Sequence, residues 1–246
     1  MHLTRPALTL FGASLFVMAC ASGSQTPAVS PAPASVALPS AIRWVQSSSE
    51  YMAATVQTYR IATAHVEIAA RGRAAGTWAV VLDADDTVIN NTPYQAGLAR
   101  DGVQHTAERF TAWVRQRAST PVPGAAKFLA RARDLGARIG IVTNRLQIEC
   151  DDTAAVLRLN QLAFDAVICR PEGAGSSADK TPRYRAVAAG ETAVSRTPVE
   201  IVAFIGDNIL DFPSTSQAMR AQGEAAFGEF GVRWFMLPNP MYGSWQ

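Results

Sequence analysis

Trp78-Ala79-Val80-Val81-Leu82-Asp83-Ala84-Asp85-Asp86-Thr87 is the stretch on which the reading of this chain turns. Five apolar residues in a row, with no polar alternation, fit a strand covered on both faces, as in a parallel sheet. The run stops on Asp83. Along an extended segment side chains alternate, so Asp83 and Asp85 are expected to point the same way and to share one reaction centre. Two neighbouring carboxylates repel each other unless a cation sits between them. A magnesium ion would relieve that repulsion and would also neutralise phosphate charge.

The same grammar continues on both sides. Upstream, Ser47-x-x-Glu50 reads as a capping box, and Val45, Met52, Val56, Tyr59 and Val66 recur at helical spacing up to Arg71. Downstream, Pro123-Gly124 opens a helix through Leu135, and Arg138 to Val142 reads as a strand ending on Thr143-Asn144. A helix over Ala154 to Leu162, a short strand over Ala166 to Cys169 and a helix over Thr181 to Ala189 follow. Ile201 to Ile205 is then a strand ending on Gly206-Asp207, and Trp234 to Leu237 a fifth strand. Alternating strands and helices imply an α/β fold, a doubly wound parallel sheet with right-handed crossovers. Its ligand crevice lies beyond the carboxyl ends of the strands, where Asp83, Asp85, Thr143, Asn144 and Asp207 gather. In Phe204-Ile205-Gly206-Asp207-Asn208-Ile209-Leu210-Asp211-Phe212, Asp207 and Asp211 share a face if a helical turn follows. Asp207 could then ligate a metal while Asp211 orients it from behind.

Composition narrows the function. With 48% hydrophobic and 17% charged residues the chain of 246 is an ordinary globular one, and a net charge of +2 without a basic run excludes a nucleic-acid polymer as partner. No G-x-S-x-G elbow, Walker loop or H-E-x-x-H is present, and His2, His65 and His105 are scattered. Only Lys127 and Lys180 are lysines among 22 basic residues, which draws attention to Lys180 at a helix start. Cys150 and Cys169 could pair in an oxidising compartment, but spacing alone does not decide it.

The first 40 residues are of another kind, with Arg5 and His2 as the basic residues and no acid. Arg5, the apolar segment Ala7 to Ala19 and the small residue before Cys20 describe an export signal over 1–20, too short to span a membrane. Val17-Met18-Ala19-Cys20 resembles a bacterial lipobox, which implies lipidation of Cys20. The Ala/Pro/Ser-rich stretch 21–40 would then tether a folded domain, 41–246, to a membrane.

Val81-Leu82-Asp83-Ala84-Asp85-Asp86-Thr87-Val88-Ile89-Asn90-Asn91-Thr92-Pro93-Tyr94 and Ile205-Gly206-Asp207-Asn208-Ile209-Leu210-Asp211-Phe212 resemble the paired signatures of the class C acid phosphatases. These form the lipoprotein e family of bacterial outer membranes, within the haloacid dehalogenase (HAD) superfamily. The similarity extends through Trp44 to Tyr51, Val142-Thr143-Asn144-Arg145, Met236 to Asn239 and Tyr242-Gly243. It implies a HAD-like Rossmannoid sheet with a small additional α-helical region. It also implies a magnesium-dependent acid phosphatase acting on small phosphomonoesters, 5'-nucleotides among them, with a homodimer left open. Asp83 would be the nucleophile and Asp85 the acid and then the base. A second aspartate at that position argues against a dehalogenase, whose halide leaving group needs no proton. Magnesium would be held by Asp83, the main-chain carbonyl of Asp85, and Asp207, with Thr143, Asn144 and Lys180 on the phosphate.

Tyr94, Phe110 and Tyr242 fall where the family builds an aromatic slot for a base; they either line such a slot or belong to the core. Phe110 stands where a Trp is usual, Ala84 replaces a larger aliphatic, Asp86 a Glu and Asn90 an acid. Two rival readings are a surface binding or adhesive lipoprotein that retains the fold without turnover, and a phosphotransferase or mutase. The latter would need a larger cap than the span between Asn91 and Arg138 provides.

Overall fold

The computed structural model describes His2, residues 37–173 and residues 177–246. The apolar segment 7–19, Cys20 and positions 21–36 of the expected tether lie outside the described residues. Val36–Gln246 form one compact unit. Among the described residues no helix is long and apolar enough to cross a membrane.

The chain runs α1 (Ser40–Ser47), α2 (Ser49–Ala69), β1 (Trp78–Leu82), β2 (Ile89–Asn90), α3 (Thr92–Asp101), α4 (Ala107–Gln116), β3 (Thr120–Pro121) and α5 (Ala125–Asp134). It continues through β4 (Arg138–Leu146), α6 (Cys150–Leu159), β5 (Ala166–Arg170), α7 (Thr181–Ala189), β6 (Glu200–Gly206) and β7 (Trp234–Met236). The main sheet has five strands in the order β5-β4-β1-β6-β7, every pair parallel. β2 and β3 pair antiparallel beside it. The chain therefore leaves β1 on one side to make β4 and β5, then returns across to make β6 and β7. That reversal places the crevice at the carboxyl end of β1.

The unbroken apolar run of β1 is explained by cover on both faces. Trp78, Val80 and Leu82 pack into a cluster with Tyr59 and Val66 of α2, Phe128 and Leu129 of α5 and Val156 and Leu157 of α6. Ala79 and Val81 pack on the other face with Tyr184 and Val187 of α7, Phe204 and Phe212. Each large side chain so buried contributes roughly 1.5–3 kcal/mol, and this holds the strand ends in fixed positions.

The differences from the sequence expectation that matter most lie at three boundaries. The capping box at Ser47 is absent: Ser47 ends α1, its hydroxyl donating to the Arg43 carbonyl, and it is Ser48 that accepts from Tyr51 N at 3.0 Å and starts α2. Val45 thus belongs to a separate short helix. β4 extends four residues beyond Val142 to Leu146, and α6 begins at Cys150 rather than Ala154, because Glu149 reaches back to Leu146 N at 2.8 Å and nucleates a tight turn there. The small helical addition consists of α3 and α4, inserted between β1 and β4.

Candidate active site

Asp83 continues the ladder of β1, its N–H donating to the Ile205 carbonyl at 2.9 Å. The extended conformation ends there. Asp86 takes a left-handed φ of 48°, and the Ala84 carbonyl accepts from both Val88 N and Ile89 N. The simple alternation that would aim Asp83 and Asp85 alike is therefore replaced by a tight loop. Asp83 turns to the interior and pairs with Lys180, while Asp85 lines an open cleft.

Lys180 sits just before α7 and is 1% exposed. Its Nζ meets Asp83 and, at 2.7 Å, Asp211. Burial works against its charge, but Asp211 and Asp83 outweigh that and hold its pKa above the ordinary lysine range. Asp211 is fixed in turn. Its Oδ2 accepts from Asp207 N at 3.1 Å and Asn208 N at 2.9 Å, closing a tight turn over Ile209–Asp211. A Cβ on Gly206 would come within 2.3 Å of the Asp211 Cβ, so only glycine allows this approach.

Asp207 accepts from Thr87 Oγ1 at 2.8 Å and from Asn239 Nδ2 at 2.7 Å. Carboxylate oxygens of Asp83, Asp207 and Asp211 lie within 4.8 Å of one another. Burial first, then the opposing push of Lys180 and the repulsion of Asp211 and Asp85, leaves Asp83 at about 7. Burial and the charges of Asp211, Asp83 and Asp86 hold Asp207 well above the usual carboxylate range. One lysine is not enough for this cluster. Hard carboxylate oxygens that resist ionisation for want of positive charge fit a divalent cation. Asp211 has one oxygen on Lys180 and the other on two backbone amides, whereas each Asp207 oxygen accepts a single hydrogen bond and only one Asp83 oxygen meets Lys180, so these two keep more capacity for a cation.

Thr143 and Asn144 come from β4, at the expected strand end. Thr143 is buried and its Oγ1 accepts from Arg145 N at 3.2 Å, which leaves its hydroxyl proton free to donate. Asn144 Nδ2 donates to the Ala178 carbonyl at 3.0 Å. Arg183, one turn into α7, donates to Thr143 O and Asn144 Oδ1 and braces both.

The sequence reading missed Arg145 as a working residue. It is 3% exposed and grips Asp85 with two nitrogens, Nη2 to Oδ1 at 2.7 Å and Nε to Oδ2 at 3.1 Å. Nη1 donates to Thr153, and the guanidinium lies 5.4 Å from the Phe110 ring centroid. Asn91 donates to the same carboxylate and is itself held by Trp113 Nε1 at 2.9 Å and Ser119 Oγ at 3.1 Å. An Arg directly after Thr143-Asn144 was the available signal; its partner 60 residues earlier was not.

A cleft of about 660 Å³ opens over Asp85, bounded by α3, α4, the end of β4 and residues Met241 to Gly243. Phe110 and Tyr242 line it. Tyr94 does not: it is 7% exposed and packs beneath, edge-on to Phe110 and stacked on Trp113 at 6.1 Å. Of the three proposed slot rings, two therefore face the cleft and one supports them. Trp113 supplies an indole one helical turn past Phe110. The Tyr242 hydroxyl donates to Asp86, whose carboxyl, raised chiefly by burial, stands at about 7. Cys150 and Cys169 form a disulfide, Cα atoms 5.9 Å apart, that ties the start of α6 to β5.

A parallel sheet with acids at the ends of β1 and β6, a buried lysine between them and hydroxyl and amide groups on β4 is the arrangement of a HAD-type phosphatase. Residues 10–245 match the family described as HAD superfamily, subfamily IIIB (acid phosphatase), and the chain belongs to it. It is a phosphomonoesterase, a hydrolase of small-molecule phosphate esters. Among solved structures it is similar to the class C acid phosphatase from Bacillus anthracis, at 26% identity and a TM-score of 0.71 over 83% of this chain and 84% of that one. The same enzyme with tungstate bound matches at a TM-score of 0.72 and 26% identity, over 83% of this chain and 84% of that one.

Proposed function

We propose that this chain is an exported, lipid-anchored, magnesium-dependent acid phosphatase that hydrolyses phosphomonoesters, 5'-nucleotides among them, through an aspartyl-phosphate on Asp83. The observation that carries this reading is the pairing of buried Asp83 with Lys180, two residues along the chain from Asp85, which lines the cleft. Asp83 attacks phosphorus in line; a new Oδ–P bond forms as the bond to the leaving alkoxide breaks. Asp85, held in place by Arg145 and Asn91 and entering the cycle in its protonated form, gives the leaving oxygen that proton. It then takes a proton from water as that water attacks phosphorus, which releases phosphate and frees Asp83. Lys180 offsets negative charge at the floor, and the Thr143 hydroxyl and Asn144 amide hydrogen-bond the phosphoryl oxygens. A magnesium ion held by Asp83, Asp207 and the Asp85 main-chain carbonyl supplies further neutralisation of the phosphoryl charge. Asp211 orients this set from behind.

Tungstate is a tetrahedral oxyanion, and its presence in a similar enzyme supports an oxyanion pocket of this type. The 1–20 signal with Cys20 and the 21–40 tether support placement in the bacterial cell envelope, and the Cys150–Cys169 disulfide fits an oxidising compartment. Phe110 and Tyr242 at the cleft support stacking of a base. Release of phosphate from p-nitrophenyl phosphate with magnesium, its loss with EDTA, and its loss in Asp83→Asn test the reading. A well-folded protein with no hydrolysis from acidic to neutral pH would favour the non-catalytic binding lipoprotein instead. Labelling of Cys20 by radioactive palmitate in a bacterial host tests the anchor.

A further inference from the structure

The β4–β5 wall of the cleft holds a cation that the hydrolytic scheme leaves unused. Arg170 ends β5 in register with Leu146 of β4 and lines the cleft together with Asp85, Asn144 and Arg145. Its Nε is buried without a hydrogen-bond partner. A guanidinium nitrogen left that way costs free energy that a ligand oxygen would recover.

Acids near it hydrogen-bond to other groups and form no ion pair with it. Glu149, which lines the same cleft, accepts from Thr111 Oγ1 at 2.6 Å and Leu146 N at 2.8 Å. Glu172 accepts from Ile148 N at 2.9 Å, and Asp85 is gripped by Arg145. Among the described residues no ion pair includes Arg170, and the intervening Ala174-Gly175-Ser176 carry no acid. Arg183 adds to the excess, since it spends its donors on Thr143 O and Asn144 Oδ1, both neutral. Burial lowers the pKa of Arg183 and the nearby charge of Arg170 adds to that, against the opposing pull of Tyr184, Asp83 and Asp179. Among the described residues neither Arg170 nor Arg183 has a carboxylate within ion-pair distance, whereas Lys180 and Arg145 are each matched by one.

We propose that Arg170 binds a second phosphate carried by the leaving group, so that the preferred substrates are phosphomonoesters with two phosphates. This rests on the phosphomonoesterase reading above. With the scissile phosphoryl over Asp83, the leaving group extends into the cleft past Phe110, and Arg170 stands on its wall. A guanidinium presents a planar fork that matches two phosphate oxygens, and such charge-assisted pairs are about twice as strong as neutral ones. A cationic leaving group would meet repulsion there.

The test compares adenosine 3',5'-bisphosphate with adenosine 5'-phosphate in the wild type, Arg170→Gln and Arg170→Lys, following phosphate release. The expected wild-type preference in kcat/KM for the bisphosphate is about tenfold, about 1.4 kcal/mol, and carried by KM. R170Q should bring the ratio to about one and R170K should keep part of it. A wild-type ratio near one, or a preference that R170Q leaves intact, overturns the proposal. Calorimetric binding of both nucleotides to Asp83→Asn reads the contact without turnover. Tighter bisphosphate binding there, lost in the D83N/R170Q double variant, with no hydrolysis by the wild type, would sink the phosphatase reading and keep Arg170. Equal binding of the two nucleotides would sink Arg170 alone.

Discussion

The floor of the site and the wall of the cleft lie at the same carboxyl edge of the sheet yet differ in how their charges are met. On the floor, Lys180 touches Asp83 and Asp211, and Asp207 is held by Thr87 and Asn239, with Lys180, Asp83 and Asp211 buried. On the wall, Phe110, Arg170 and Tyr242 are partly exposed, and Arg170 has no ion-pair partner among the described residues. Floor residues are fixed by one another, so a change there propagates through a shared network. Wall residues face solvent and substrate, so a change there alters what binds more than whether the chemistry occurs.

The strongest way to break this contrast is Asp83→Asn. Loss of the nucleophile should lower kcat at least about 10³-fold with the fold retained, measured by phosphate release and circular dichroism. A loss of less than tenfold would mean that the floor is not where the reaction happens. Lys180→Met should come next, lowering kcat about 10²-fold or more through lost charge stabilisation. It should also destabilise the metal-free protein by about 3–5 kcal/mol in urea, because it leaves Asp83 and Asp211 buried without their cation. Should K180M fold with wild-type stability, the mutual dependence of the floor residues is wrong.

Reduction of the Cys150–Cys169 disulfide sharpens the contrast from the wall side. Its loop of 19 residues in sequence separation predicts a loss of about 3 kcal/mol of unfolding free energy. The effect on KM should exceed that on kcat, since β5 carries Arg170 but no floor residue.

A pH series on EDTA-treated protein probes the buried acids of the floor and of the loop beside it. Asp83 and Asp86 stand at about 7 in the folded chain against an ordinary value of 3.8. Between those values the folded state binds more protons than the unfolded one, so stability falls as pH rises. The melting temperature should therefore be lower at pH 8 than at pH 5. A divalent cation that binds only the folded state should restore most of the difference at pH 8. A flat profile would mean that these acids are not strained by burial. The smallest effect belongs to the wall: Tyr242→Phe removes the hydroxyl that donates to Asp86, and should change KM a few-fold while kcat stays within about twofold.

Much of this architecture was legible from periodicity. Continuous apolar runs at Trp78–Leu82 and within Glu200–Gly206, each ending on an acid, foretold buried parallel strands that deliver Asp83 and Asp207 to one crevice. Thr143 and Asn144 lie near the end of β4, and Lys180 lies beside Asp83. Local turns were less legible. Ser47 and Ser48 are chemically alike, and only the break between α1 and α2 decides which one caps. Asp85 looked like a companion of Asp83 because alternation assumes an extended chain, and the positive φ of Asp86 ends that assumption.

Sequence by itself determined the sheet, the order of its strands' chemistry and the acids at its edge, since these follow from local hydrophobic pattern and spacing. Tertiary structure alone decided the partners. Arg145 is matched to Asp85 across 60 residues, Lys180 to Asp83 across 97 and Trp113 to Asn91 across 22, while Arg170 is left without such a match among the described residues. A side chain's charge is written in one residue, but whether that charge is neutralised depends on what the fold brings within a few ångströms of it.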